Sequence, residues 1–203
     1  MPRPRLHDPE AILDAAERLV ARGGSAALTT RALAAQTGAP SGSLYHAFGS
    51  RPVLLAQLWL RAARRFLDLQ REAAEAALPD DPVEATVRAA LAPLTLFERA
   101  PDTARVLLGQ RREELLAAEL PAELAAQLAG LDGELVDLFR RLAGALWERR
   151  DRHAVEAVRA CVVDLPTGLL LGHLRAGTVP RDTDLRLRAA ARAVLSLNPP
   201  ARS

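Results

Sequence analysis

The chain has 203 residues, of which 49% are hydrophobic and 26% charged, with a formal net charge of +2. That is enough apolar material for one substantial core, or for a small domain attached to a larger one. The single Cys161 excludes an internal disulfide, and no apolar run is long enough to span a membrane. The start MPRPRLHDPE lacks the hydrophobic stretch of a signal peptide, so a soluble cytoplasmic protein is expected. Only 3% of residues are aromatic while alanine and leucine dominate, which favours helices over strands.

In chain order, Asp8 caps and Pro9 opens a first helix to about Arg22, with Ile12, Ala15, Ala16 and Leu19 on its inner face. The stretch TTRALAAQTGAPSGSLYHAF, residues 29–48, then reads as two short helices around a glycine turn. Thr29 or Thr30 caps a helix carrying Leu33, Ala34 and Thr37 on one face, and Gly38 stands where a left-handed terminator belongs. Pro40 and Ser41 start the second helix, whose inward residues are Leu44 and Phe48; its other side chains suit phosphates and base edges. The pair reads as a helix-turn-helix.

Charge supports this reading on separate grounds. From Arg18 to Leu67 there is no aspartate or glutamate, but there are seven arginines: Arg18, Arg22, Arg31, Arg51, Arg61, Arg64 and Arg65. Residues 68–203 hold 18 arginines against 21 acids, a net of −3, so attraction to a polyanion comes from the N-terminal end.

The segment LTTRALAAQTGAPSGSLYHAFGSRPVLL resembles the DNA-binding segment of the TetR family of bacterial transcription regulators, over roughly residues 9–58. Downstream, the resemblance is one of length and helical layout. It implies that Thr30 and Arg31 meet backbone and base at the start of the first helix of the pair, Arg31 forking onto guanine or phosphate. Ser41, Gly42 and Ser43 would form the leading turn of the recognition helix, Tyr45 and His46 a phosphate and groove-edge pair, and Arg51 a further phosphate contact. Pro40, Ala47 and Pro52 depart from the usual family pattern, which bears on the bases read and not on the fold.

A helix from Pro52 to about Ala77 is expected next, ended by LPDDP, followed by one from Pro82 to Glu98 interrupted at Pro93. A short helix follows Pro101, and a long segment runs from Pro121 to about Arg150. The last two helices are expected at about Arg152–Ala176 and Asp184–Leu197. On the first of these, Gly168, Gly172 and Ala176 recur every four residues and make a stripe for close helix approach. With Leu187, Ala190, Val194 and Leu197 on the final helix, the stripe suggests a four-helix interface between two copies, and the resemblance implies the same. The opposite face, Val163, Pro166, Leu170 and His173, is expected to look inward. Phe66, Phe97, Arg105, Trp147, Thr167 and His173 are the candidate lining of an effector cavity, on spacing and family analogy.

Enzymatic readings fail on residues. The four histidines and Cys161 lack partners at metal-ligand spacing, and there is neither a Gly-rich phosphate loop nor a GxSxG elbow. The expectation is an all-α protein without metal or cofactor. A helix-turn-helix domain occupies residues 1–51, and a helical ligand-binding and dimerisation domain residues 52–203. It would act as a homodimer binding double-stranded operator DNA, most readily as a repressor released by a small-molecule effector. The alternative is a helical module that binds a protein partner without specific DNA binding.

Overall fold

The structure is a computed structural model that describes residues 8–40, 42, 44, 48–199 and 201. Among them the chain is helical, with no strand. Residues group into two compact units, Met1–Ala63 with Ala100–Ala129, and Arg64–Arg99 with Gly130–Ser203. The expected boundary at 51/52 therefore falls inside the first unit. The reason is local: Val53, Leu54, Leu55, Ala56, Leu58, Trp59 and Leu60 are all buried, so the start of the long third helix belongs to the core of its own unit.

The first unit opens with α1 (Pro9–Gly23), whose Asp8 side chain accepts the Glu10 amide hydrogen while Pro9 supplies the preset first turn. Ile12, Leu13, Ala15, Ala16 and Val20 are its buried face. A short 3-10 turn, Ser25–Ala27, leads to α2 (Thr30–Thr37), and helical backbone recurs at Gly42, Leu44 and Phe48. Helix α3 (Arg51–Glu75) follows. Ser50 caps it, its Oγ accepting from the Val53 amide at 3.4 Å. The same unit holds α5 (Pro101–Gly109), the five-residue α6 (Arg112–Leu116), which the sequence reading did not anticipate, and the beginning of α7 (Ala122–Trp147). Within it α5 packs on α1, and the Trp59 indole donates to the Leu107 carbonyl at 3.3 Å.

The second unit is built around α4 (Pro82–Arg99), against which α9 (Leu165–Ala176) and α10 (Thr183–Leu195) pack. The expected break at Pro93 does not occur, because α4 runs through it. Proline has no amide hydrogen, so the carbonyl four residues earlier, that of Ala89, loses its helical partner. Gln70 of α3, only 1% exposed, replaces that partner: its Nε2 donates to the Ala89 oxygen at 3.0 Å. A covered carbonyl no longer needs water, and the helix continues within the core.

The penultimate helix, expected as one run over about Arg152–Ala176, is instead divided. Helix α8 (Arg152–Arg159) passes through a π-helical turn, Ala160–Asp164, before α9 begins, with Pro166 in the first turn of α9. Asp164 makes no capping bond there and pairs with Arg159 at 3.3 Å on the surface. Helix α10 is fixed to α4 by Glu84, which receives Arg188 at 3.3 Å and also Arg192.

The Gln70 bond yields a test by double-mutant cycle. Gln70→Leu strands the Ala89 carbonyl only while Pro93 is present. Its cost in urea unfolding should therefore fall by about 1 kcal/mol in a Pro93→Ala background, where the helical amide is restored. Equal costs in the two backgrounds would mean that Gln70 acts by packing alone.

Candidate DNA-reading site

Eight residues of α2 are too few to hold a helix in water, so the reader depends on its caps and its packing. At the N-terminus the Thr29 hydroxyl accepts the Ala32 amide at 3.1 Å. At the C-terminus Gly38 lies in the left-handed region (φ 68°, ψ 7°), and its amide returns to the Ala34 carbonyl. Thr37 brackets the same turn, its hydroxyl donating to the Leu33 carbonyl at 2.8 Å and accepting from the Ala39 amide at 3.2 Å. The next helix begins where the Leu44 amide reaches the Pro40 carbonyl. Leu33, Leu44 and Phe48 are buried, and with Leu28, Thr29, Thr30 and Leu54 they line a space of about 30 Å³, room for one water.

This packing leaves a defined outer surface. Arg31 is exposed and, among the described residues, makes no ion pair or side-chain hydrogen bond, as is also the case for Arg18 and Arg22 on α1. Gly42 is exposed, with nothing within 4 Å of where a β-carbon would sit, so its backbone is open to close approach. Thr30 is half-buried. Ser41, Ser43, Tyr45 and His46, the other residues assigned to DNA by resemblance, lie outside the described residues.

Arg51 is placed differently from the expectation. Its Nε donates to the Leu28 carbonyl at 2.8 Å and its Nη2 to the Ser25 carbonyl. The acceptors are the first residue of the short 3-10 turn before α2 and the residue that caps its end. The guanidinium thus fastens the start of α3 to the entrance of the reader, and its fork is already occupied by the chain.

The acids of the N-terminal end are taken up in structural contacts. Asp8 caps α1, and Glu10, Asp14 and Glu17, at helical spacing on α1, all reach Arg61 of α3, at 3.1, 2.8 and 2.5 Å. Arg61 is 12% exposed, and Glu17 also receives the hydroxyl of Thr103 from α5. The four acids of residues 1–67 therefore all lie on α1 or its cap. Arg18, Arg22 and Arg31, without an ion pair among the described residues, contribute positive charge to the exposed surface.

The residues expected to line an effector cavity divide between the two units. Arg105 lies in the first unit, exposed and paired with Asp102 at 3.1 Å. Phe66, Phe97 and Trp147 are half-buried in the second unit, and Thr167 and His173 are exposed. The inward stripe of α9 is Pro166, Leu170 and Leu174, in steps of four; Leu174 takes the core position in the last turn and leaves His173 outside. An open groove of about 620 Å³ lies elsewhere in this unit, over Leu69, Ala73, Leu91 and Leu94, with Arg88, Arg99 and Arg188 among its polar walls. None of the six expected residues lines it.

The final helix needs a similar correction. Leu187, assigned to a subunit interface, is 0% exposed inside its own chain, in a buried stripe with Thr183, Ala191 and Leu195. Ala190 and Val194 are half-buried, and Leu197, though exposed, lies beyond the helix end. The residue that faces out is Leu185, at 69%. On α9, Gly168, Gly172 and Ala176 are exposed beside Leu169, and no atom approaches within 4 Å of a β-carbon built on either glycine.

Among the described residues no group of three His, Cys, Asp or Glu is placed to hold a metal ion. Burial pushes the Cys161 thiol up to about 11, so at neutral pH it stays protonated and is a poor nucleophile. No described helix is long and apolar enough to cross a membrane.

A capped helix pair with an exposed arginine at its leading turn, in a chain that is helical and without strands among the described residues, defines a helix-turn-helix DNA-binding regulator. Residues 12–58 match the family of bacterial regulatory proteins, tetR family. That segment is the DNA-binding segment of a family of transcriptional regulators. No curated protein matches the chain in sequence.

Solved structures share its fold along nearly the whole length. The TetR family transcriptional regulator PfmR from Thermus thermophilus is 24% identical, covering 91% of this chain and 97% of that one, with a TM-score of 0.64. The fatty acid degradation regulator FadR from Bacillus halodurans is 17% identical, covering 93% and 98%, with a TM-score of 0.66. The multidrug binding protein EbrR, complexed with imidazole, is 24% identical, covering 99% and 96%, with a TM-score of 0.60. At these identities the likeness is one of fold.

Two substitutions separate support of the reader from contact with DNA. Arg51→Ala should lower stability in urea by about 1–2 kcal/mol through loss of two charged hydrogen bonds. It should change the log-log salt slope of DNA binding by less than about one; a fall of a full unit would restore Arg51 to the phosphate contacts. Gly38→Ala should cost about 1 kcal/mol, because a β-carbon is strained at that φ.

Proposed function

We propose that the protein is a homodimeric repressor that leaves its operator when a small molecule binds the second unit. The observation that carries this reading is the reader itself: Thr29, Gly38 and the buried Leu33, Leu44 and Phe48 hold a helix pair whose leading turn offers Arg31 and the bare backbone of Gly42. Thr30 and Arg31, together with Ser41, Gly42, Ser43, Tyr45 and His46, are the proposed DNA contacts, and Arg51 braces them. Repression needs only occupancy of a promoter, whereas activation requires a polymerase-contacting surface that no motif provides.

A second copy is needed because a helix-turn-helix reads half-sites about one DNA turn apart. The proposed interface uses the outward faces of α9 and α10: Gly168, Gly172 and Ala176 give a flat approach, with Leu169 and Leu185 as apolar anchors. Support for this face is that these two leucines are among the exposed large hydrophobics and that neither glycine is demanded by its own chain. Release follows from population shift. An effector favouring a non-binding spacing of the two readers by about 3 kcal/mol weakens operator affinity roughly 150-fold. The groove over Leu91 and Leu94 is of ligand size and is the proposed place to look first.

Fluorescence anisotropy against DNA flanking the protein's own gene, at several salt concentrations, tests the reading. About four phosphate contacts per half-site predict a log-log slope near −7 for the dimer, with Arg31→Ala losing preference over scrambled DNA. Binding no tighter than scrambled DNA, together with failure of genomic fragments to yield a site, would leave a helical module for a protein partner. Sedimentation supplies the second check: Leu185→Glu should give folded monomers, while Leu187→Ala should cost about 2–5 kcal/mol of stability through a core cavity.

A further inference from the structure

Helix α10 is held along its length by Glu84, and the chain is held again after the helix ends. Beyond Arg192 the helix closes in a tight turn. The Ser196 amide returns to the Arg192 carbonyl at 3.0 Å, the Leu197 amide to that of Val194 at 3.1 Å, and the Ser196 hydroxyl donates to that of Ala193 at 2.7 Å. The last carbonyls are thereby satisfied and the chain leaves the axis. Leu195 and Pro199 are buried, while Ser196, Leu197 and Asn198 between them are exposed. Chain beyond a helix end frays unless something ties it down. The tie is Arg149, in the turn between α7 and α8, whose Nη1 donates to the Pro199 carbonyl at 3.2 Å. The guanidinium is itself fixed. Its Nε and Nη2 donate to the two oxygens of Asp151 at 2.7 and 2.8 Å, and Asp151 caps α8 by accepting the Ala154 amide. All of these residues lie in the second unit.

Resting on the reading of the chain as a homodimer, we propose that Arg149 is a positioning residue of the subunit interface: by taking the Pro199 carbonyl it straps residues 196–199 onto their own unit and holds Leu197 outward as a contact for a second copy of this chain. Leu197 is 68% exposed, and its own fold buries little of it, so covering it against an apolar partner is favourable. Leu169, Leu185 and Leu197 are three of the four exposed large hydrophobics among the described residues, and all three lie in the second unit. Between the last two, Ala189, Ala193 and Ser196 are exposed at helical spacing, and Arg192 beside them is drawn to Glu84. At 1.5 Å per residue, Leu185 and Leu197 stand roughly 15–20 Å apart along the axis. One partner's usual share of an interface, about 800 Å², is about 30 Å across, so a single interface covers both. The strap acts by preorganisation. Without it, residues 196–199 must be ordered as the second copy docks, and that cost is subtracted from affinity. With it, the arch that carries Leu197 is set before the encounter.

The experiment compares a chain ended after Asn198, which removes the acceptor, with one ended after Pro199, which keeps it as a terminal carboxylate. Each is followed by urea unfolding, by hydrogen exchange of residues 186–195 and by sedimentation equilibrium. The chain ended after Asn198 should unfold cooperatively, exchange faster in the last turns of α10, and show a dimer dissociation constant raised about tenfold. The chain ended after Pro199 should match the parent in all three. Arg149→Gln, which leaves Pro199 in place, should raise the dissociation constant to a similar extent. Leu197→Ser supplies the readout that a merely structural strap would not move. It should weaken the dimer without hastening exchange at concentrations where the protein is dimeric. In its background, ending the chain after Asn198 should raise the constant by less than about twofold, because the strap then has no contact to present. Effects of the two changes that multiply independently overturn the proposal. So does a dimeric parent whose dissociation constant moves less than about twofold on loss of Pro199 or in folded Arg149→Gln, the homodimer reading then standing without the strap. A parent that sediments as a monomer at every concentration overturns the homodimer reading and the proposal with it.

Discussion

The constraint on which the structure depends is the shortness of the reading helices. A helix of eight residues cannot recover its nucleation cost from its own hydrogen bonds, so α2 exists only because other groups hold it. Thr29 and Gly38 close its ends, Leu33 anchors its middle, and Arg51 secures the turn that leads into it. The surface offered to DNA is what remains once these inward obligations are met. Its residues therefore carry little stability of their own, and the site is free to vary in what it reads while the frame beneath it stays fixed.

That division explains what was legible in the sequence. Caps and terminators act over three or four residues, so Asp8, Thr29 and Gly38 could be read from local chemistry, as could the buried Leu33, Leu44 and Phe48. Errors arose where a distant side chain changes the local rule. Pro93 reads as a break until Gln70 covers the carbonyl it exposes. Arg51 reads as a phosphate ligand until the carbonyls of Ser25 and Leu28 claim its fork. Helix α10 shows a subtler failure: Leu187 and Leu185 are both apolar, and two residues apart on a helix they face nearly opposite ways. Only the packing of α10 on α4 decides that Leu187 enters the core and Leu185 meets solvent.

The effector cavity was the least legible feature, for a physical reason. A reader must present a fixed constellation to a fixed polymer, so its residue types and spacing are constrained together. A small-molecule cavity is concave space left between helices, and the sequence encodes the helices but not the gap. Periodicity placed His173 inward because a face was extrapolated along α9 from Val163, which lies in the π-helical turn before that helix starts. A small rotation of the buried stripe across that turn suffices to leave such a residue outward.

The charges share one logic with the polar ties. A DNA-binding surface needs a positive field, yet a helical unit also needs acids to cap and pair its helices. This chain meets both demands on one helix. On α1, Glu10, Asp14 and Glu17 all reach Arg61, while Arg18 and Arg22 have no ion-pair partner among the described residues. The acids thereby do their structural work where their charge is balanced in part at close range. The absence of carboxylates from residues 18–67 is then not merely a compositional bias. It is what leaves the outward guanidinium of Arg31 unneutralised by its own chain, and a polyanion is the partner best able to supply the missing charge.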